Sequence, residues 1–246
     1  MQIRQLFIFA LVLFLAAGCG AVNRSIQIND GEQIDGDVRN VNGAIRIGRD
    51  CTISGAVRNV NGSIAIGTGT RTGEVRNTNG AIDVAENSHT AGIRSTNGRI
   101  RIGRETTVDG KIKSTNGLVE LGDGVSVEGD VETTNGPIRA GHGSRIAGQV
   151  RSTNGPIRLQ AARAGSISTA NGGIEVMAGT VIEGEIHVRE VRQTASSGTP
   201  RIIIGADSVI QGPIRVEREV QLYVHETAST GEITGAEAIE FTGEQP

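Results

Sequence analysis

Three residues ahead of a series of recurring asparagines the chain carries Arg39, Arg58, Arg76, Arg94 and Lys113. Cations repeated at a fixed interval could hold an anionic polymer, because guanidinium and ammonium groups give charge-assisted hydrogen bonds to carboxylate or phosphate. Glu132 and Arg151 continue the same slot, so five successive cations precede the first acid. The competing reading is a solvated face whose self-repulsion is relieved by Asp37 and Glu74, each two residues from a cation and on the same side of a strand. Aromatic platforms for sugars or bases are missing. Phe7, Phe9 and Phe14 all precede residue 20, there is no Trp, and only Tyr223 and Phe241 follow.

Other chemistry has weaker support. His89, His142, His187 and His225 occupy different slots of the repeat, which gives no metal-ligand spacing. Asp109, Asp123 and Asp130 fall at unrelated phases, so no carboxylate cluster for calcium emerges. Nucleophile elbows, Walker loops and calcium-binding nonapeptides are absent. The expectation is a chain with no catalytic residue, no metal and no cofactor. A formal charge of −3 selects neither nucleic acid nor a membrane surface as partner. Cys51 reads as a small apolar filler in a turn, with intermolecular pairing or a reactive thiol as the alternatives.

The elements that position these residues follow from the asparagines themselves. N-V-N-G, N-T-N-G, S-T-N-G, T-T-N-G and T-A-N-G recur, placing Asn42, Asn61, Asn79, Asn97, Asn116, Asn135, Asn154 and Asn171 at intervals of 17 to 19 residues. A period this regular specifies a repeat architecture. Within a unit the apolar residues alternate with polar ones, as at Val38, then Ile45 and Ile47, then Ile53, and period two means strand. No unit could bury its apolar face alone. Stacking each unit on its predecessor solves this and predicts an all-β fold, a single-stranded parallel β-helix (β-solenoid) over residues 26–242. About ten to eleven coils of ~19 residues, rising ~4.8 Å each, would make a rod on the order of 50 Å long.

The Asn-Gly pair then reads as a corner, with Gly for a positive φ and Asn for an amide ladder satisfying buried polar groups. Two units depart from the period. Gly148 to Gly165 is shortened to 17 residues, and Gly184 to Gly212 is lengthened to 28 by a loop at residues 191–200 that replaces the corner. Beyond it the asparagines stop, and 243–246 reads as a tail.

At the other end Arg4 and the 12 apolar residues from Leu6 to Ala17 have the form of a signal peptide, too short to span a membrane comfortably. Leu15-Ala16-Ala17-Gly18-Cys19 resembles the bacterial lipobox. That resemblance implies a signal peptide at 1–18, lipidation of Cys19, a short linker over 19–25 and a membrane partner through the lipid anchor. Gly20 after the Cys is similar to the sorting signal of outer-membrane lipoproteins in Gram-negative bacteria.

The units I-G-R-E-T-T-V-D-G-K-I-K (102–113) and L-G-D-G-V-S-V-E-G-D-V-E (121–132) resemble the repeats of bactofilins, polymer-forming bacterial β-helices. The S-T-N-G-x-I units equally resemble an adhesin-type solenoid family of bacterial surface proteins. Bactofilin resemblance implies a right-handed helix that assembles end to end, whereas a lipoprotein signal departs from that family. The expected function is a non-enzymatic cell-envelope lipoprotein with a structural, self-assembling or adhesive role. An alternative is a binding module for an anionic envelope polysaccharide through the Arg/Lys row, and an enzyme acting on polysaccharide comes third.

Overall fold

A computed structural model describes residues 24–190 and 198–246. The signal-peptide segment, Cys19 and residues 191–197 of the irregular loop lie outside the described residues. The remainder is all β, a β-solenoid of about eleven turns at a spacing of roughly 19 residues. Each turn supplies three strand segments, shown by Thr107–Val108, Ile112–Asn116 and Val119–Leu121. Each lies parallel on its counterpart one turn later, with Thr107 opposite Ser126, Ile112 opposite Val131 and Val119 opposite Ile138.

The third segments form one twelve-stranded sheet running from Ile26–Ile28 to Ala238–Phe241. The first and second segments form the other wall, and in Arg71–Asn79 and His89–Asn97 they fuse into one strand. Register stacks like on like: Ile45, Ile64, Ile82, Ile100, Val119, Ile138, Ile157 and Ile174 form one fully buried column of the core. β-Branched side chains suit this site because their restricted χ1 packs against a pleated surface. Burying each contributes about 1.5–3 kcal/mol, and the same gain repeats on every rung.

The Asn-Gly corner has two geometries. Gly43, Gly62, Gly80, Gly98 and Gly117 have φ between 107° and 152°, a region glycine enters without penalty. From Gly136 on the positive φ disappears, and the N–H groups of Asn135, Asn154 and Asn171 reach back to Thr115, Thr134 and Thr153. Pro137 and Pro156 account for the change at two of the three copies, since the residue before proline is pushed to extended conformations.

A second corner was not anticipated beyond a run of variable residues. Asp50, Asn87, Glu105 and Asp207 turn there in the left-handed region with φ of 53–56°. The residue after each points inward, giving a buried column that includes Cys51, Thr70, Ser88, Thr106, Ser144, Thr180 and Ser208. Its hydroxyls staple corner carbonyls: Thr70 Oγ1 donates to Gly48 O at 2.9 Å, Thr106 Oγ1 to Ala85 O at 3.0 Å and Ser144 Oγ to Gly122 O at 2.9 Å. The shortened unit is absorbed by a register shift between Ile146 and Gln149, with Ala161 at φ 45°.

The two ends of the stack differ. Ile26, Ile28, Ile34 and Val38 give the first turn the same inward chemistry as the interior. In the last described turn Thr230 lies on Ile210, Ala238 on Leu222 and Glu240 on Val224. Gly235 sits against Val216, where a Cβ would fall 1.8 Å from the carbonyl oxygen. The apolar interior therefore tapers into small and polar residues, with Ile233 on Ile214 the large apolar residue that remains.

Candidate functional site: the asparagine ladder and its cation row

Stacking brings all eight asparagines into one line. Each Nδ2 donates to the Oδ1 of the preceding turn, from Asn61 to Asn42 at 3.0 Å through Asn116 to Asn97 at 2.9 Å to Asn171 to Asn154 at 2.8 Å. Every bond runs in the same direction, so the amide dipoles add along the rod. The ladder lies on the outside of the corner: Asn61, Asn79, Asn97, Asn116, Asn135 and Asn154 are exposed. The expectation that it satisfies buried polar groups is therefore corrected. Alternation carries inward from Val57, Val75 and Ile112 to the residue two before each ladder Asn, and the corner then turns the Asn itself out; the inward column Asn59, Asn77, Ser95, Ser114, Thr133, Ser152 and Thr169 is buried.

The inward column solves the corner differently along its length. Asn59 Nδ2 reaches Gly43 O at 2.9 Å, Asn77 Nδ2 reaches Gly62 O at 2.8 Å, and Ser152 Oγ reaches Gly136 O at 3.2 Å. Between them the buried hydroxyls of Ser95, Ser114 and Thr133 have no partner.

The cations Arg39, Arg58, Arg76, Arg94 and Lys113 stack in register, each opposite the next. Carboxylates are interleaved with them. Asp37 contacts Arg39 at 2.6 Å and Arg58 at 3.3 Å, Glu74 contacts Arg76 at 2.5 Å and Arg94 at 2.8 Å, and Glu132 contacts Lys113 at 3.5 Å. Asp37 is held below the usual carboxylate range by the Ala56 N–H and the Arg39 guanidinium, and Glu74 by the Arg76 and Arg94 guanidiniums. A shallow groove of about 290 Å³ runs beside the row, between Arg76, Arg94 and Lys113 and the hydroxyls of Thr78, Thr96 and Thr115. Every cation of the row thus already has an acidic neighbour, and the charge left for an external polyanion is small.

Two of the four histidines are likewise engaged in surface pairs, while His225 is buried and lies edge-on to Phe241. His89 lies between Arg71 at 2.6 Å and Asp109 at 2.8 Å, and His187 contacts Glu217 at 2.9 Å. Both ring nitrogens of His89 are occupied, which leaves no lone pair for general-base work. No group of three or more metal-ligating side chains occurs among the described residues. Cys51 is buried, and its Sγ lies 3.0 Å from the Asn29 carbonyl, in the same column as the stapling hydroxyls. Its role is that of a serine or threonine at this corner.

One participant was missed by sequence reasoning. Arg218 Nη1 donates to Asn171 Oδ1 at 2.7 Å and to the Ala170 carbonyl at 3.0 Å, closing the ladder where the asparagines stop. No spacing signal points to it, because the lengthened unit intervenes.

Comparison of the chain with protein-family models, with curated proteins and with solved structures finds no match. The β-helix implied by both repeat resemblances is present, and the residues and their geometry carry the functional reading.

Proposed function

We propose that this chain is a non-enzymatic structural rod of the cell envelope, tethered at its N-terminal end through lipidated Cys19. The observation that supports it best is the ladder. Seven amide–amide bonds in one line, closed by Arg218, stiffen an exposed corner and leave its polar groups occupied by one another. His89 and His187 are paired with carboxylates of the neighbouring turns, Asp109 and Glu217. A spacer fits better than an end-to-end polymer of the bactofilin kind, because Thr230, Gly235, Ala238 and Glu240 leave Ile233 as the large apolar residue facing inward in the last described turn, which offers a further turn little apolar surface. Binding of an anionic polysaccharide along the cation row is the weaker reading, since Asp37, Glu74 and Glu132 already occupy it.

The test is metabolic labelling with a palmitate analogue together with electron microscopy of the purified protein. Label retained by the wild type and lost in Cys19→Ala, with discrete rods on the order of 50 Å long, is the expected result. Unlabelled protein would sink the anchor, and long filaments would sink the spacer in favour of a polymer.

A further inference from the structure

The twelve-stranded sheet shows a charge pattern on its outward face that neither the ladder nor the cation row uses. Its middle residues stack one per turn, and from Arg46 to Glu175 the column reads R-A-D-R-E-R-R-E. Within the chain Arg101 pairs with Glu120 at 2.9 Å, Arg158 with Glu175 at 2.5 Å and Asp83 with Arg99 at 3.2 Å. Arg46 and Arg139 have no carboxylate partner among the described residues, which include every Asp and Glu of the sequence.

We propose that this column is a docking surface for a second copy of the same chain, face to face and antiparallel, with the two-fold axis between the Arg101 and Glu120 rungs. In that register Arg101 of one copy faces Glu120 of the other, Asp83 faces Arg139, Arg46 faces Glu175, and Arg158 faces the neutral Ala65. No like charges meet, and the two unpaired cations each gain an acid. The neighbouring registers fail at once: a shift of one rung either way sets Arg101 on Arg101 or Glu120 on Glu120. A two-fold parallel pair is in register and sets every charge on its own copy, so among two-fold pairs the pattern is self-complementary in the antiparallel orientation.

Beside the charged ridge runs a groove of about 400 Å³ floored by Gly103, Gly122 and Gly141 and edged by Arg101, Arg139 and Arg158. Glycine is imposed by the corner, since a Cβ on Gly103 would lie 2.6 Å from the Glu86 nitrogen and one on Gly141 2.4 Å from an Asp123 carboxylate oxygen. In this register the charged ridges meet each other, and the two grooves face across the contact. Eight rungs at ~4.8 Å across a face ~10 Å wide cover about 400 Å² per copy, the size of a weak, transient contact. Antiparallel pairing puts the two N-terminal ends at opposite ends of the pair. The inference stands on the charge column and is independent of the anchor.

The experiment is sedimentation equilibrium of the full chain in non-ionic detergent at ~20 mM and ~500 mM salt, where screening lengths differ several-fold. Dimer at low salt and monomer at high salt is expected. Asp83→Arg or Arg139→Glu alone should weaken association by about tenfold or more, as like charges across an interface do, and the double variant should restore it. Arg139→Glu breaks no ion pair within the chain, so the test stands even if Asp83→Arg folds poorly. A mixture of Ala65→Cys and Arg158→Cys copies should form a disulfide joining those two positions, identified by mass spectrometry of the linked peptides. A monomer at low salt, association indifferent to Arg139 reversal, or cross-linking of Ala65→Cys to itself would overturn the proposal.

Discussion

Arg218 stands in for a ninth asparagine. Its Nη1 lies 2.7 Å from Asn171 Oδ1, the acceptor that the amide of the next turn would have occupied had the lengthened unit kept its Asn-Gly corner. Because all the ladder bonds point one way, the last rung leaves an acceptor rather than a donor, and a guanidinium suits it where a carboxylate would not. Hydrogen bonds to a charged donor contribute about 1.5–3 kcal/mol when partly buried. Arg218→Ala should lower stability by that order, and Arg218→Lys should recover part of it, read by thermal unfolding. A melting temperature unchanged in Arg218→Ala would mean that the ladder needs no closure.

The direction of the bonds can be tested at mid-ladder. Asn116 donates to Asn97 Oδ1 at 2.9 Å and accepts from Asn135 Nδ2 at 2.8 Å. Asn116→Ala removes two exposed bonds and should cost about 1–2 kcal/mol. Asn116→Asp should cost more at pH 7, because its carboxylate faces the Asn97 amide oxygen and can no longer donate. Protonation restores a donor, so the folded form holds this proton more tightly than the unfolded one. The deficit should therefore shrink as pH falls through the raised folded value of that carboxyl. Equal melting of the Ala and Asp variants across pH 4–7 would contradict the geometry.

Two buried hydroxyl columns predict opposite responses to the same change. Thr106 Oγ1 donates to Ala85 O at 3.0 Å and accepts from the Ser88 N–H at 3.3 Å, so Thr106→Val should cost about 1–3 kcal/mol by stranding those groups. Thr133 Oγ1 is buried with no partner, so Thr133→Val removes an unpaid desolvation and should be neutral or stabilising. Denaturant unfolding of both variants decides it, and equal losses would mean that the Thr133 hydroxyl has a partner after all.

Cys51 belongs to the first of these columns. Its thiol should resist modification in the folded protein and react only on unfolding, and Cys51→Ser should melt within about 1 kcal/mol of wild type because Ser fills the same slot at other turns. Rapid native-state labelling by a thiol reagent would show that this corner opens.

Much of this fold was legible from the period alone. Apolar alternation at Val38, Ile45, Ile47 and Ile53 called for strands, and a recurrence of 17 to 19 residues called for parallel stacking. The ladder residues were visible for the same reason, but their burial was not. Whether Asn116 or Ser114 points inward depends on where the strand ends and the corner begins, which period two cannot fix at a turn. The Ser/Thr corner column was hidden because Cys51, Val125 and Ala162 interrupt it with apolar residues that fit the same space. Arg218 was out of reach because it lies 47 residues from Asn171, across an irregular unit. The charge column on the third face needed exact stacking of residues a full turn apart, which one shortened unit would misalign in any linear reading.

The ion pairs of the cation row set a pH response of known sign. Glu74 bridges Arg76 at 2.5 Å and Arg94 at 2.8 Å, and these guanidiniums hold its carboxyl below the usual range. Asp37 is lowered chiefly by the Ala56 N–H and then by Arg39. A folded value below the unfolded one means that the unfolded chain takes up the proton first. The contribution is therefore complete above the unfolded carboxylate value of about 4 and drains as pH falls through the folded values. Acidification should also leave Arg39, Arg58, Arg76 and Arg94 stacked on adjacent strands without their interleaved acids, which adds like-charge repulsion to the lost pairs. Melting temperature should be flat from about pH 5 to 7 and fall below pH 4, more steeply at low salt. Glu74→Gln should start lower at pH 7 and lose less on acidification, since it has no proton to gain. A Glu74→Gln variant whose acid limb matches the wild type would show that other carboxylates carry the transition.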